Sequence, residues 1–151
     1  MLASGMDISI RSATFADTEA LMALDTYLRI DPVRAVEIDE WVSGECCVLA
    51  LLEDRVAGYA AIRDTFFRQP MIEIVMVAEE HRSRGVGRAL LRSVCSRRDV
   101  PKIWASTNQS NLRMQALLAS EGFVFAGAIE GLSEGDPELF YYRVRGWQLP
   151  G

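Results

Sequence analysis

Apolar positions in the first part of the chain follow the spacings of one strand and two helices. Residues 7–11 alternate polar and apolar side chains, which predicts a half-buried strand. Thr14 with an acid three residues later predicts a helix N-terminus, and leucines at three- and four-residue spacings extend that helix to Leu28. A second helix is predicted over residues 33–42, directly after Pro32.

The middle of the chain carries three β-rich runs separated by polar turn residues. Residues 46–54 and 56–67 predict a hairpin that turns near Asp54, and residues 71–77, after Pro70, predict a third strand of an antiparallel meander. The later elements are a helix from Val86, a strand over 102–107, a helix over 110–122 that Asn108 or Ser110 would cap and Gly122 would close, and two strands within 123–132 and 138–147.

This order of elements predicts a mixed α/β sheet of six to seven strands. The N-terminal part should be antiparallel, whereas the strands 71–77 and 102–107 should form a parallel central pair joined through a helix. Helices should cover both faces of the sheet. A length of 151 residues suits one compact domain over residues 1–151, with residues 1–6 as a ragged start.

Composition and charge narrow the class of function. Half of the residues are hydrophobic and the net charge is −5, which excludes a disordered chain and argues against non-specific nucleic-acid binding. No window approaches the ~18 apolar residues of a membrane span. The three cysteines lack the spacing of a disulfide framework or a zinc site. These features predict a cytoplasmic protein with no metal and no membrane or nucleic-acid partner.

Arginines interleaved with glycines stand between the predicted strand 71–77 and the next helix. At a helix N-terminus, the first backbone amides and the helix dipole favour a phosphate or pyrophosphate. Arg84, Arg88 and Arg92 follow at four-residue steps and would add positive charge; the alternative is an ordinary solvated helix face. A dinucleotide fingerprint is excluded because Leu90 stands where its third glycine would be, and the Gly-Lys-Ser/Thr of a P-loop is absent.

Two motifs give the chain a family resemblance. The segment from Val77 through Arg82-Ser83-Arg84-Gly85-Val86-Gly87 resembles motif A of the GNAT acetyltransferase superfamily, in which Gln/Arg-x-x-Gly-x-Gly/Ala opens a helix after a strand. The stretch from Asn111 to Gly122-Phe123 is similar to motif B, which pairs an asparagine at a helix start with a Gly-Phe at its end. The order of elements resembles that fold over about residues 7–145.

The resemblance implies a GNAT-like fold that uses acetyl-CoA as cosubstrate. Backbone amides around the glycines would hold the coenzyme pyrophosphate, and the strand before them would pair by backbone with the pantetheine arm. Asn111 would hydrogen-bond near that arm, and its structural alternative is a helix cap. The implied coenzyme-binding residues are Val75, Met76, Val77, Arg82, Ser83, Arg84, Gly85, Val86, Gly87, Arg88 and Asn111.

The chain departs from the family pattern at its catalytic positions. Many relatives carry a tyrosine acid four residues before the Gly-Phe glycine, where this chain has Leu118. The glutamates of two branches fall at Ser106 and Met71. Because the attacking amine must be neutral, a base has to take its proton. Glu73 is the nearest acid on that strand and is the predicted base; the alternative is a surface strand carboxylate.

The favoured hypothesis is an N-acetyltransferase that moves the acetyl group of acetyl-CoA directly to a primary amine of a small-molecule or peptide acceptor. The alternative is a non-catalytic coenzyme A binding or regulatory module, and a third is a small α/β interaction domain that does not bind the coenzyme. Exposed late strands could pair with a second copy and allow a homodimer. The sequence leaves open which amine is the acceptor and whether the acyl group is longer than acetyl.

Overall fold

A computed structural model describes residues 7–145, and within them it contains seven strands and four α-helices. The predicted ragged start, residues 1–6, lies outside the described residues. The strands are β1 (Ile8–Ser12), β2 (Cys47–Leu52), β3 (Arg55–Phe66), β4 (Gln69–Val77), β5 (Lys102–Asn108), β6 (Val124–Ile129) and β7 (Glu138–Val144). The helices are α1 (Thr18–Leu24), α2 (Val33–Ser43), α3 (Val86–Ser96) and α4 (Leu112–Ser120).

The strands form one mixed sheet in the order β1-β2-β3-β4-β5-β7-β6. Strand β2 is antiparallel to β1 and to β3, and β7 is antiparallel to β5 and to β6. Strands β4 and β5 are parallel, with Met71 opposite Trp104 and Ile72 opposite Ala105. The predicted sheet, with an antiparallel N-terminal part and a parallel central pair, is confirmed.

Two tight turns set the hairpins of the meander. Glu53 and Asp54 both have positive φ, 51° and 62°, and so do Phe67 and Arg68, at 51° and 62°. Two consecutive left-handed residues between antiparallel strands are typical of a type I′ turn. The turn near Asp54 was predicted from its polar residues. The turn at Phe67 has no such signal in its sequence. Strand β4 begins at Gln69, directly after this turn, and not at residue 71 as predicted.

The described residues belong to two compact units. One comprises the residues up to Ala61 together with Ile74–Val94, and the other comprises Ile62–Glu73 together with the residues from Cys95 onward. Strands β3 and β4 contribute residues to both units. A single domain over the whole chain stays a prediction.

The core of the first unit joins α1 and α2 to strands β2 and β3. Its buried side chains include Leu21, Trp41, Leu49 and Tyr59. The predicted first helix is shorter than expected, because the chain turns at Asp25, whose carboxylate accepts a hydrogen bond from the Tyr27 amide at 2.9 Å. A 3₁₀ turn over Thr26–Arg29 follows, so Leu28 is not part of α1.

Helix α3 packs on the opposite side of β3 from α1 and α2. A Cβ atom built on Gly58 would lie 2.6 Å from the Met76 carbonyl oxygen and 3.1 Å from Leu90 of α3. The next residue, Tyr59, points the other way, and its ring centroid lies 6.2 Å from that of Trp41 in α2. Because successive strand residues face opposite sides, the helices of this unit cover both faces, as predicted.

In the second unit, β7 is joined to the end of α4 by the Arg143 guanidinium, which donates to the Glu121 carbonyl at 3.4 Å. Leu118 of α4 is fully buried, and alternate residues of β5 and β7, such as Ala105 and Tyr141, are buried as well. The cap of α4 is Asn111, whose side chain accepts a hydrogen bond from the helix backbone. The sequence favoured Asn108 or Ser110 as the cap and gave this role to Asn111 as the alternative. Gly122, at φ 86°, follows the helix end, as predicted.

Candidate active site

The end of β4 is fixed tightly against β3. The Ala78 amide, just beyond the strand, donates to the Ala57 carbonyl at 2.7 Å. Gly58 faces the Met76 carbonyl so closely that only a residue without a Cβ fits there. Val75, Met76 and Val77 are half-buried. The predicted pantetheine strand is therefore held in one position by its neighbour.

The segment between β4 and α3 turns through two left-handed residues. Ser83 has φ 65° and Gly85 has φ 84°, with the Ile8 side chain 3.9 Å from a Cβ built on Gly85. The first hydrogen bond of α3 runs from the Ala89 amide to the Gly85 carbonyl at 3.0 Å. The amides of Val86 and Gly87 lie before that bond, in the turn where the helix dipole is most positive.

The start of α3 changes one detail of the predicted anion site. The helix begins at Val86, as predicted, so Gly87 lies in its first turn. Arg84 precedes the helix, which leaves Arg88 and Arg92 on it at a four-residue spacing, instead of a stripe of three arginines on one helix. Strand β4, a 3₁₀ turn at Glu79–His81, the left-handed loop and the N-terminus of α3 follow one another along the chain, and a loop that leads into a helix N-terminus suits a pyrophosphate.

Asn111 lies in the second unit and has a structural contact. Its Oδ1 accepts a hydrogen bond from the Met114 amide at 3.1 Å, which caps α4. This is the alternative role that the sequence allows for an asparagine at a helix start. The side-chain oxygen serves the cap, so a contact with the coenzyme arm would use the side-chain NH₂ group.

Glu73 is held by donors from β3. The Arg63 guanidinium donates to Glu73 Oε2 from Nε at 3.1 Å and lies 3.0 Å from it through Nη2, and the Thr65 hydroxyl donates to Oε1 at 2.7 Å. The Glu73 side chain is 16% exposed. Solvent and a bound molecule can therefore reach this carboxylate, which Arg63 and Thr65 hold in one orientation.

The aromatic acid of the family pattern has no counterpart at its usual place. Leu118 is 0% exposed and packs in the core of the second unit. Tyr141 is also buried, 5.8 Å from the Phe125 ring, and burial raises the pKa of its phenol. Tyr142 points to the other face of β7 and is half-buried beside Trp104.

A buried polar network in the first unit was not predicted. Asp25 accepts hydrogen bonds from Arg34 Nη1 at 2.9 Å and from the Tyr59 hydroxyl. Burial and the hydrogen bond to Asp25 raise the pKa of Tyr59 well above its ordinary value. Asp25 and Tyr59 are 34 residues apart, and no local sequence pattern pairs them.

Residues 7–145 lack the features of two other kinds of site. No helix in this part of the chain is long and apolar enough to span a membrane. Within the same residues, no three His, Cys, Asp or Glu side chains group so that they could hold a metal ion.

Solved structures share this fold over nearly their whole length. A GNAT family acetyltransferase from Bacillus cereus has a TM-score of 0.85 and 27% identity, over 91% of this chain and 97% of that one. A ribosomal-protein-alanine N-acetyltransferase from Brucella melitensis has a TM-score of 0.74 and 24% identity, over 90% and 99%. A Bacillus anthracis protein provisionally named streptothricin acetyltransferase, in complex with acetyl coenzyme A, has a TM-score of 0.74 and 18% identity, over 92% and 99%. No curated protein matches the sequence.

The family model agrees with these structures. It describes the acetyltransferase (GNAT) family and matches residues 15–123, which include β4, the left-handed loop, α3 and α4. The match covers well over half of the chain and contains both motifs on which the resemblance rests. The chain belongs to the acetyltransferase (GNAT) family.

Proposed function

We propose that the protein transfers the acetyl group of acetyl-CoA directly to a primary amine of a small-molecule or peptide acceptor. The observation that carries this proposal is that β4 leads, through a short 3₁₀ turn at Glu79–His81, into the left-handed loop at Ser83 and Gly85 and the N-terminus of α3. Membership of an acetyltransferase family supports the reaction class.

The coenzyme would be held mainly by backbone groups. The amides at the start of α3 suit its pyrophosphate because they carry the positive end of the helix dipole. The backbone of Val75, Met76 and Val77 would pair with the amide groups of the pantetheine arm, as a peptide strand pairs with a sheet. The proposed coenzyme-binding set remains Val75, Met76, Val77, Arg82, Ser83, Arg84, Gly85, Val86, Gly87, Arg88 and Asn111.

The transfer requires one new bond, one broken bond and one proton movement. The neutral amine nitrogen forms a C–N bond to the acetyl carbon, and the C–S bond breaks to release the thiolate of the coenzyme. A backbone amide of residues 75–77 would stabilise the charge that develops on the thioester oxygen. We propose Glu73 as the base that removes the amine proton, while Arg63 and Thr65 hold its carboxylate in one orientation.

A coenzyme A binding module without catalysis is the second candidate. Two observations favour it: Leu118 occupies the usual tyrosine position inside the core, and Arg63 already pairs with Glu73. Consumption of acetyl-CoA in the presence of amines separates the two functions. Tight coenzyme binding without thiol release for any amine would favour the binding module.

Calorimetric titration of acetyl-CoA into the wild type and the Gly87→Glu variant tests the coenzyme site. The glutamate would place a negative charge in the first turn of α3, so we expect micromolar binding to the wild type and none to the variant. Gly127→Glu is the matched control, because a Cβ at Gly127 in β6 meets no atom within 4 Å. Circular dichroism checks that both variants are folded.

Either of two results would overturn the assignment. If the wild type does not bind acetyl-CoA, the coenzyme proposal is wrong. If folded Gly87→Glu binds as tightly as the wild type, the pyrophosphate lies elsewhere.

A further inference from the structure

Four aromatic rings form a continuous cluster on one face of the second unit. Phe66 at the end of β3 lies 5.0 Å from Trp104 of β5 and stacks on Phe140 of β7 at 5.5 Å. Tyr142 of β7 lies 5.3 Å from Trp104. We call these four residues the aromatic face.

The aromatic face is accessible, in contrast to the opposite side of the same strands. All four of its residues are half-buried, whereas their neighbours Ala105 and Tyr141 are buried. Phe67, which contacts Phe66 edge-on at 5.0 Å, is 83% exposed. The Trp104 indole N–H donates to Gln69 Oε1 at 2.6 Å, which fixes the plane of the ring. The rings therefore present an ordered apolar surface.

Glu73 lies on the same face as these rings. Met71 of β4 stands directly opposite Trp104 of β5, and residues paired across strands point to the same side. Glu73 follows Met71 by two residues and shares its side. The proposed base and the aromatic face therefore form one surface within this unit.

The charges around the aromatic face disfavour a polycation. The Lys102 ammonium lies 5.6 Å from the Trp104 ring centroid and 5.0 Å from that of Tyr142, so a cation already occupies these rings. Arg63 pairs with Glu73 at 3.0 Å. Glu138 lies on the same side of β7 as Phe140 and Tyr142, but at the end of the strand away from Lys102. A second positive charge on an acceptor packed against Trp104 would therefore meet the Lys102 ammonium first.

We propose that the aromatic face is the acceptor subsite for a primary monoamine with an aromatic or branched apolar body. The amine nitrogen would lie at Glu73 and the body would pack on Phe66 and Trp104, where ring stacking and burial of apolar surface favour it. This assignment rests on the proposed acetyl transfer and specifies its substrate class.

Initial rates with three amines at saturating acetyl-CoA test the subsite. We expect kcat/KM for 2-phenylethylamine to exceed that for ethylamine by about 10- to 200-fold. Spermidine should be poorer than 2-phenylethylamine. In Trp104→Ala the preference for 2-phenylethylamine over ethylamine should fall at least tenfold, while the affinity for acetyl-CoA stays unchanged. Phe140→Leu provides a second, milder variant should Trp104→Ala fail to fold.

Phe125→Ala is the matched control for the loss of an aromatic side chain. Phe125 is 58% exposed and contacts Tyr141, on the other face of β7, so its removal should leave the preference intact. If no amine is acetylated, the proposed function fails and the subsite fails with it. If amines are acetylated but spermidine is preferred, or the folded variants keep the wild-type preference, the subsite alone is overturned.

Discussion

Two carboxylates in this protein each have an arginine and a hydroxyl as partners but lie in different surroundings. Asp25 is bonded by Arg34 at 2.9 Å and by the Tyr59 hydroxyl, and Glu73 is bonded by Arg63 at 3.0 Å and by the Thr65 hydroxyl at 2.7 Å. The Asp25 side chain is 0% exposed and that of Glu73 is 16% exposed. Each acid is bonded by one arginine and one hydroxyl, but Asp25 also accepts the Tyr27 amide at 2.9 Å, and Arg34 also pairs with Glu37 at 3.0 Å. Burial and these further bonds distinguish the two sets.

Burial distinguishes Asp25, a carboxylate with a structural role, from Glu73, a carboxylate that a substrate could reach. The Asp25 set connects the end of α1 to α2 and β3, with the Arg34 guanidinium 4.7 Å from the Tyr27 ring, and a substrate cannot reach its acid. Removing one partner of a buried pair leaves an uncompensated charge, which is costly. The Glu73 set is partly open to solvent, so its acid can exchange a proton with a bound amine.

Asp25→Asn should have the largest effect on stability. Loss of the buried charge leaves Arg34 Nη1 facing a neutral amide, while its Nε keeps the pair with Glu37, which is 42% exposed. We expect a decrease of about 3 kcal/mol in the free energy of unfolding, the lower end of the range for a broken buried pair, measured by urea titration. Asp64→Asn is the control, because it breaks an exposed ion pair. The Asp64 side chain is 53% exposed and that of its partner, Arg98, is 29% exposed. The control should lose less than about 1 kcal/mol. Equal losses of stability in Asp25→Asn and Asp64→Asn would mean that burial does not make the Asp25 ion pair more important for stability than the exposed Asp64 pair.

Glu73→Gln should affect the rate rather than the stability. The amide keeps the shape of the side chain but cannot take a proton, so we expect kcat to fall by about 100-fold or more. The free energy of unfolding should change by less than about 1 kcal/mol, because the ion pair is partly exposed. Steady-state kinetics with the best amine measures kcat, and Glu130→Gln, at an exposed glutamate, is the control. An unchanged kcat would make Glu73 a surface ion-pair residue only.

Removing the hydroxyl from each set compares the two environments with the charges intact. Tyr59→Phe deletes a hydrogen bond to a buried carboxylate and should lower the free energy of unfolding by about 2 kcal/mol. Thr65→Val deletes the corresponding bond at Glu73 and should cost less than about 1 kcal/mol, because water can replace the hydroxyl there. Urea titration measures both variants. A larger loss for Thr65→Val than for Tyr59→Phe would contradict the assignment of the two environments.

The sequence predicted the parts of the site that depend on local patterns. The strand before the glycines, the helix start and the parallel pairing of β4 with β5 follow from hydrophobic periodicity and from glycine positions. Neither carboxylate set could be predicted in this way. Arg63 and Thr65 reach Glu73 because a tight turn at Phe67 and Arg68 sets the register of the hairpin, and Phe-Arg is not a sequence that signals such a turn. Asp25 meets Tyr59 only through tertiary packing.

A third carboxylate, Asp17, extends the comparison to the dependence of stability on pH. Arg11 donates to both carboxylate oxygens of Asp17 at 2.8 Å, and the Thr14 amide donates at 2.8 Å. The Arg11 side chain is 46% exposed, so the set is more open than the one around Asp25. The hydrogen bonds from Arg11 hold the pKa of Asp17 well below its ordinary value, with the Thr14 amide adding to the effect.

A carboxyl group with a lowered pKa in the folded state stabilises the protein above its ordinary pKa, near 4, and loses that contribution as the pH falls. At pH 7 the free energy of unfolding of the Asp17→Asn variant should therefore be about 1 kcal/mol lower than that of the wild type. This difference in the free energy of unfolding should be smaller at pH 3. Urea titration at the two pH values measures it, and Arg11→Gln should show the same narrowing because it removes the same ion pair. If the wild type and Asp17→Asn differ by the same amount at both pH values, the ion pair with Arg11 does not contribute to that difference. The hydrogen bonds that Asp17 accepts from Thr14, which an asparagine accepts less well, would then account for all of it.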